Sequence, residues 1–417
     1  MTGYDVVIVG GSVAGCTAAV LYGRAGLRVA LLEKHRNAAA FKALCGHFVL
    51  GGTGDMLRRA GLWEPILDAG GHAAGASRWT PYGWTLPPAG APTAVSLRRQ
   101  VLDPMLRRVA AETGGVDLML GHKATGLLTD GGRVVGVRTR TGDGTEHEHR
   151  GRLVVGADGH LSPLAGWVGA REDRAPNNRF GLWAYYRGVV PRGPGGDYHQ
   201  IWPYGPDTGI LARTDDGLTM LVAFPVKSRL AEFQADRAGA LEGFFRALPD
   251  APDIAGAERV SKVIGMTDYP CVRRDPTPAP GVFLVGDAAL TGDPLPAVGC
   301  GWAFRGAEWL VESTVPALRG EATWRAAAAG YRRRLAFVRR HDDVARQGAL
   351  AKPPNALQAA VLRAASLDPV VGRRAYLFAM RAIPVSGLIN PAVVARSLLV
   401  AARTRRAAAP AVGAATG

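Results

Sequence analysis

The sequence predicts an α/β fold: a mostly parallel sheet that opens with a βαβ unit, a second domain built on a sheet, and a helical C-terminal region. Three observations carry this. Tyr4-Asp-Val-Val-Ile-Val-Gly10 is a short apolar run suited to a strand buried on both faces. A glycine turn, a helical stretch from Gly15 to Ala25 and a second apolar run from Leu27 to Leu32 follow it. Between Phe180 and Val226, three segments alternate like strands with one exposed face. Beyond Tyr331 the chain is rich in Ala and Arg and reads as helix.

With 417 residues, 47% hydrophobic and 20% charged, the chain can bury two or three packed lobes, and a folded rather than a disordered chain is expected. Gly (55) and Pro (28) make loops plentiful but fall short of a collagen-like chain. Cys16, Cys45, Cys271 and Cys300 are scattered, without C-x-x-C or histidines at zinc spacing, so neither a disulfide scaffold nor a metal site is expected. No basic leader precedes Tyr4 and no run of about 18 apolar residues occurs, so a cytoplasmic globular protein is the expectation. The net charge of +15 is concentrated: Tyr331 to Arg406 carries fifteen Lys/Arg against three Asp/Glu. With few aromatics between them, these read as a solvated helical face, and no nucleic-acid partner is expected. Ala375 to Ala402 mixes apolar residues with Arg, as either a packed helical lid or an interfacial helix on anionic lipid would. Oligomeric state is left open.

In chain order, Gly70 to Ala94 is Gly/Pro-rich, carries Trp79, Tyr82 and Trp84, and should leave the first lobe. Leu97 to Glu112 has helical periodicity, and Arg133 to Thr139 and Leu153 to Val155 read as strands around an Asp-Gly turn. Phe180 to Val190, Tyr198 to Tyr204 and Leu218 to Val226 are the second-domain strands, with turns at Gly193 to Gly196 and Asp215 to Gly217. Gly281 to Val285 is another buried strand, and a helix begins near Trp302. Pro353-Pro354, Pro384 and Pro391 should cut the C-terminal region into short helices with a frayed tail. The expected division is 1–70, 98–168 and 281–330 for the first domain, 71–97 and 169–280 for the second, and 331–417 for the helical region.

Gly10-Gly11-Ser12-Val13-Ala14-Gly15 matches G-x-G-x-x-G with Ser12 at the middle glycine. The first glycine permits the sharp turn, and the third lets the helix pack on its strand. The small middle residue lets backbone amides approach a pyrophosphate at the helix N-terminus. Glu33, with Lys34 beside it, closes the second strand, where a carboxylate accepts ribose hydroxyls and disfavours a 2′-phosphate. This Rossmann-like arrangement predicts a dinucleotide.

Further motifs follow. Gly156-Ala157-Asp158-Gly159-His160-Leu161-Ser162 is similar to the Asp-Gly motif of flavoprotein hydroxylases, and Val285-Gly286-Asp287-Ala288-Ala289 to their Gly-Asp motif. Arg98 and Arg99, before Leu102-Asp103, look like the helix arginine that meets the flavin dinucleotide. In order and spacing the four motifs resemble the single-component FAD-dependent aromatic hydroxylase superfamily, which includes epoxidases, halogenases and geranylgeranyl reductases. The resemblance spans Tyr4 to about Leu310. It implies an FAD-binding first domain in which Gly10, Ser12, Gly15 and Glu33 hold the adenosine diphosphate. Arg99 or Arg98 would touch the phosphates or ribose, and Asp287 the ribityl chain. Asp158 would support the dinucleotide region and passing nicotinamide.

Pro294-Leu-Pro-Ala-Val-Gly299-Cys300-Gly301-Trp302 enters a helix, whose amides and dipole would face the flavin's pyrimidine edge. Compared with the aromatic hydroxylases, Leu290 replaces a His, Ala297 a Gly, Gly301 an Asn, and Ala165 an Arg. Lys42-Ala-Leu-Cys45-Gly46 is similar to a Cys-Gly element near the flavin of geranylgeranyl reductases. Cys45 is either a catalytic candidate or a small buried hydrophobe. His47 is a flavin-side donor, an acid–base group or a packed core histidine. The W-x-W-x-I-P signature of tryptophan halogenases is absent.

The substrate pocket should lie between the flavin and the second sheet, with Trp84, Tyr185, Tyr198, Trp202 and Phe224 as lining candidates and Trp79 beside them. His47 and His199 are the best titratable groups there, which suits a hydrophobic polyketide, terpenoid or aromatic metabolite. The resemblance implies a monooxygenase of bacterial secondary metabolism. By that resemblance NAD(P)H, docking transiently, would reduce FAD, and a flavin C4a-hydroperoxide formed with molecular oxygen would hydroxylate or epoxidise the substrate. Its alternatives are an FAD-dependent alkene reductase like geranylgeranyl reductase, and a flavoprotein with a non-redox cyclase role.

Overall fold

The computed structural model describes residues 3–193 and 197–407. Its first sheet has a parallel core in the order Val116–Leu120, Val29–Glu33, Tyr4–Val9, Glu146–Gly156, Val282–Leu284. Tyr4–Val9 is apolar at nearly every position because both faces are covered. Val6 and Ile8 pack under the helices Val13–Arg24, Arg99–Glu112 and Gly299–Leu318, whereas Val7 and Val9 face Val134, Val137 and Leu164. The expected strand Leu153–Val155 is the end of a longer one. Glu146–Gly156 pairs first with Arg133–Arg140 in an antiparallel ladder, and from Gly151 enters the parallel sheet.

The second sheet has eight strands, six of them in the order Gly181–Arg187, Thr219–Phe224, Asp207–Arg213, His199–Tyr204, Ala76–Thr80, Gly83–Thr85. Its faces separate cleanly by strand alternation. Leu182, Ala184, Trp202, Leu211 and Leu221 pack on Phe233, Leu241 and Phe245 of two helices, Leu230–Ala235 and Arg237–Arg246. Trp183, Ala212, Met220, Val222 and Phe224 turn the other way, toward Phe48 and Leu295. The Gly/Pro-rich segment bridges the two: His72–Ala74 and Ala94–Ser96 pair with Phe48–Val49, while Ala76–Thr80 and Gly83–Thr85 join the second sheet.

Ala375 to Ala402 is not one continuous helix. It is divided among Pro369–Ala379, Val385–Leu388 and Pro391–Ala407, which pack with Ala356–Leu367 around Val371, Leu388 and Val393. Several of the region's arginines are paired, Arg332 with Asp275, Arg346 with Asp173 and Asp342, and Arg396 with Asp368. Among the described residues no helix is long and apolar enough to cross a membrane. The frayed tail and most of the Gly193 to Gly196 turn lie outside the described residues.

Candidate cofactor and active site

The glycine turn, Glu33, the Asp-Gly motif and the Gly-Asp motif meet at the C-terminal ends of the parallel strands, whereas Arg98 and Arg99 stand at the start of the helix Arg99–Glu112. Gly10 follows Tyr4–Val9, Glu33 ends Val29–Glu33, Asp158 follows Glu146–Gly156 and Asp287 follows Val282–Leu284. The helix after Tyr4–Val9 packs with Val6 and Ile8, and the helix after Glu146–Gly156 packs with Val7 and Val9, so the two connections leave on opposite sides of the sheet and open a crevice between the strands. Here two glycines are obligatory. Gly10 has φ +111° and a Cβ there would stand 2.4 Å from the Ala157 carbonyl oxygen; a Cβ on Gly15 would stand 1.8 Å from the Gly10 carbonyl oxygen.

The helix Val13–Arg24 begins with no side-chain cap and no acid in its first turn, so the amides of Val13 and Ala14 stay available. Glu33 is buried, accepting from Gly11 N and His35 N at 2.9 Å each, and Lys34 beside it is exposed.

The helix Arg99–Glu112 contributes three charged residues spaced four apart, on one face. Arg99 donates to Ser12 Oγ (2.7 Å) and is bidentate to Asp103. Asp103 also accepts from Lys42 N (3.0 Å), and Arg107 donates to the carbonyls of Gly11, Ala38 and Ala40. The irregular segment after Glu33 is thereby strung from this helix, and Lys42 Nζ reaches Asp287 Oδ2 at 2.6 Å. Burial pushes the Asp287 carboxyl up, but the Lys42 ammonium, helped by Arg99 and His160, holds the group below its ordinary value. Sequence reasoning passed over Lys42, Asp103 and Arg107 as site residues. The four-residue spacing from Arg99 is the signal that could have found the last two.

Two expected cofactor residues are otherwise engaged. Arg98 turns to the second sheet, donating through N and Nε to Asp215 at 2.9 and 2.7 Å, with its guanidinium over the Tyr185 ring. Asp158 accepts from Ser162 Oγ and Leu164 N, so its carboxylate caps the short helix Pro163–Trp167 rather than facing the crevice. A helix start next to a turn attracts a capping carboxylate, and that local demand takes it here.

At the redox end, Pro294 O accepts from Ala297 N, and Ala297 holds φ +53°, a conformation glycine would adopt freely. Gly286 brings its turn against Ala14, and the helix Gly299–Leu318 begins without an acid or a side-chain cap. Gly299 is open, whereas a Cβ on Gly301 would stand 2.8 Å from Thr53 Oγ1. Cys300 Sγ lies 3.7 Å from Cys45 Sγ, and Cys45 Sγ accepts from His47 N. The hydrogen bond the two thiols share separates them, with Cys45, beside His47 N and the Lys42 and Arg99 charges, held well below the ordinary thiol value and Cys300 above it. His47, with φ +38°, is buried and stacks on Tyr185, its Nδ1 3.3 Å from the Tyr185 hydroxyl and its Nε2 without a partner. Burial lowers its pKa to about 4, and that of His199 to about 3.

Tyr185 and Phe224 lie on the face of the second sheet that meets this end. Trp84 and Trp202 do not. Both pack on the opposite, helix-covered face, with Trp84 Nε1 on Asp250 and Trp202 Nε1 on the Pro249 carbonyl. Trp202 is the period-2 neighbour of Gln200, and alternation sends both away from the crevice. Trp79 packs on that far face too, and Tyr198 lies beside Tyr376 of the C-terminal helices. A cavity of about 300 Å³, lined by five arginines (Arg171, Arg273, Arg274, Arg332, Arg339) with Asp173 and Asp275, contains none of the expected site residues.

Comparison with known proteins agrees with this geometry. The chain is 29% identical over 316 residues to 6-methylpretetramide 4-monooxygenase of Streptomyces rimosus, covering 73% of each. It is 27% identical over 321 residues to a digeranylgeranylglycerophospholipid reductase of Thermoplasma volcanium, covering 71% of this chain and 74% of that one. Its fold matches the flavin-dependent brominase Bmp2 with a TM-score of 0.77 at 22% identity, covering 97% of this chain and all of the brominase. Residues 3–344 match the FAD binding domain family, so the chain belongs to that family and is an FAD-dependent oxidoreductase.

Proposed function

We propose that the protein is an FAD-dependent monooxygenase that hydroxylates or epoxidises a hydrophobic metabolite, drawing electrons from NAD(P)H. The observation that carries this reading is the uncharged, apolar face of the second sheet opposite the Gly299–Leu318 helix start. Trp183, Met220, Val222 and Phe224 supply its surface, with His47 and His199 held neutral by burial. Arg98, over the Tyr185 ring, is paired with Asp215. An apolar molecule gains there what a charged one would lose to desolvation.

The residues present fit FAD. The glycine cradle excludes any Cβ at Gly10 and Gly15, the first-turn amides are uncapped, and the buried His47 Nε2 has no partner. Gly10, Gly11, Ser12, Val13, Ala14 and Gly15 would hold the diphosphate with Arg99, and Glu33 the ribose. Asp287 with Lys42 would hold the ribityl end, and Pro294 with Gly299, Cys300 and Gly301 the ring. When bound, FAD supplies two-electron reduction and reaction with dioxygen. The chain orients the substrate on the apolar face and keeps bulk water from it. Through the His47 Nδ1 and Tyr185 hydroxyl pair it can hold one proton beside the substrate.

A second reading, an alkene reductase, is favoured by one observation: Cys45-Gly46 lies against this same face, Gly46 approaching Met220. The deciding experiment is anaerobic reduction by NADPH or NADH followed by rapid mixing with oxygen, with flavin absorbance recorded and products analysed. A transient spectrum between the reduced and oxidised forms, with one oxygen atom from ¹⁸O₂ in the product, is expected. Product formed by the reduced enzyme without oxygen would overturn the monooxygenase reading.

A further inference from the structure

Cys45 and Cys300 are 255 residues apart in sequence, yet their sulfurs are in van der Waals contact at 3.7 Å. The other two cysteines, Cys16 and Cys271, are fully buried and free. We propose that Cys45 and Cys300 form a redox-active dithiol, which a small hydroperoxide oxidises to a disulfide, tying the segment between Glu33 and Phe48 to the start of the Gly299–Leu318 helix.

The two sulfurs have different roles. Cys45 is half-buried and lies on a segment without regular structure, where peroxide can reach it; Cys300 is buried behind it on the helix. Cys45 also has the surroundings of a thiolate. It accepts from His47 N and shares a thiol–thiol contact with Cys300, and the Lys42 and Arg99 charges lie near it. The first turn of the adjoining helix contains no acid to oppose it.

Oxidation then proceeds in two balanced displacements. The Cys45 thiolate attacks one peroxide oxygen; an S–O bond forms, the O–O bond breaks, and the departing hydroxide takes up a proton as water. Cys300, losing its proton, attacks the Cys45 sulfur; the S–S bond forms, the S–O bond breaks, and a second water leaves. The pair gives up two electrons, and one peroxide becomes two waters.

Bonding requires the sulfurs to close from 3.7 Å to about 2.0 Å. The irregular segment on which Cys45 sits can supply that movement, whereas the buried helix cannot. Once closed, the bridge fixes the same segment that carries Lys42 to Asp287.

The test uses the full chain as purified, treated with a small molar excess of hydrogen peroxide. The expected result is a mass loss of about 2 Da, two of the four thiols lost to titration, and one linked peptide pair containing Cys45 and Cys300, all restored by dithiothreitol. Amide hydrogen exchange between residues 34 and 47 should slow in the oxidised form. Cys300→Ser should stop at a Cys45 sulfenic acid that dimedone traps. Cys45→Ser, on the irregular segment, should leave all three remaining thiols free and serves if the helix variant does not fold. Four free thiols after treatment, or a bridge involving Cys16 or Cys271, would overturn the proposal.

Discussion

Replacing Gly15 by alanine tests whether close helix–turn contact creates the cofactor site. The added Cβ would stand 1.8 Å from the Gly10 carbonyl oxygen, so the helix start must retreat by about 1.2 Å to reach even 3.0 Å. That helix is buried at ten of its twelve positions, and overpacking of this kind costs about 1–3 kcal/mol. The larger effect falls on binding. Retreat carries the first-turn amides away from the diphosphate, and each charge-assisted hydrogen bond lost is worth about 1.5–3 kcal/mol. Two such losses weaken FAD binding by roughly a hundredfold or more.

Gly26→Ala is the control. It has φ +78° with nothing within 4 Å, so it carries only the left-handed backbone penalty, about 1–2 kcal/mol. FAD titration of the apoprotein by flavin fluorescence, alongside urea unfolding, separates the two effects. Gly15→Ala binding FAD as tightly as Gly26→Ala does would refute the close-approach argument.

Other consequences follow from single contacts. Asp287→Ala removes the carboxylate that Lys42 meets at 2.6 Å and should abolish tight FAD binding; equilibrium dialysis that finds flavin fully retained would contradict this. Trp202→Phe deletes the hydrogen bond to the Pro249 carbonyl on the helix-covered face, costing about 1–2 kcal/mol in urea unfolding with FAD affinity unchanged. Burial lowers His47 to about 4 and His199 to about 3, below their unfolded value of 6.5, so between these limits the unfolded chain binds more protons. Their stabilising contribution is therefore complete above about pH 6.5 and lost as pH falls toward 4. The urea midpoint should drop from pH 7 to pH 5, and His199→Leu should flatten that slope; a variant as pH-sensitive as the wild type would contradict it.

The nucleotide half of the fold was legible because its signals are local. Gly10, Gly15 and Glu33 announce a turn, a close approach and a strand end, and each lies where the sheet order opens. Asp207–Arg213 was not foreseen, since Gly209 and a short Ile-Leu-Ala run carry little strand signal. Gly209 is needed because a side chain would meet Phe244 of the helix Arg237–Arg246 and Leu248 just beyond it, over thirty residues later. Arg98 and Arg99 are indistinguishable as adjacent arginines. Only Asp215, from the distant turn after Asp207–Arg213, separates them by claiming Arg98. The tryptophans were misjudged for a similar reason. Aromatic residues mark buried positions, but which face of a strand is covered by helices depends on segments far along the chain.

The two faces of the second sheet also separate two kinds of change. Positions 183, 185, 220, 222 and 224 look toward the crevice, while their immediate neighbours anchor the helices. Variation confined to the first set would retune what the crevice accepts while leaving the scaffold's mass of packing alone. A one-residue insertion early in any of these strands would exchange the sets and forfeit both at once. Such a sheet lets a lineage diversify its chemistry residue by residue, provided the changes fall on alternate positions.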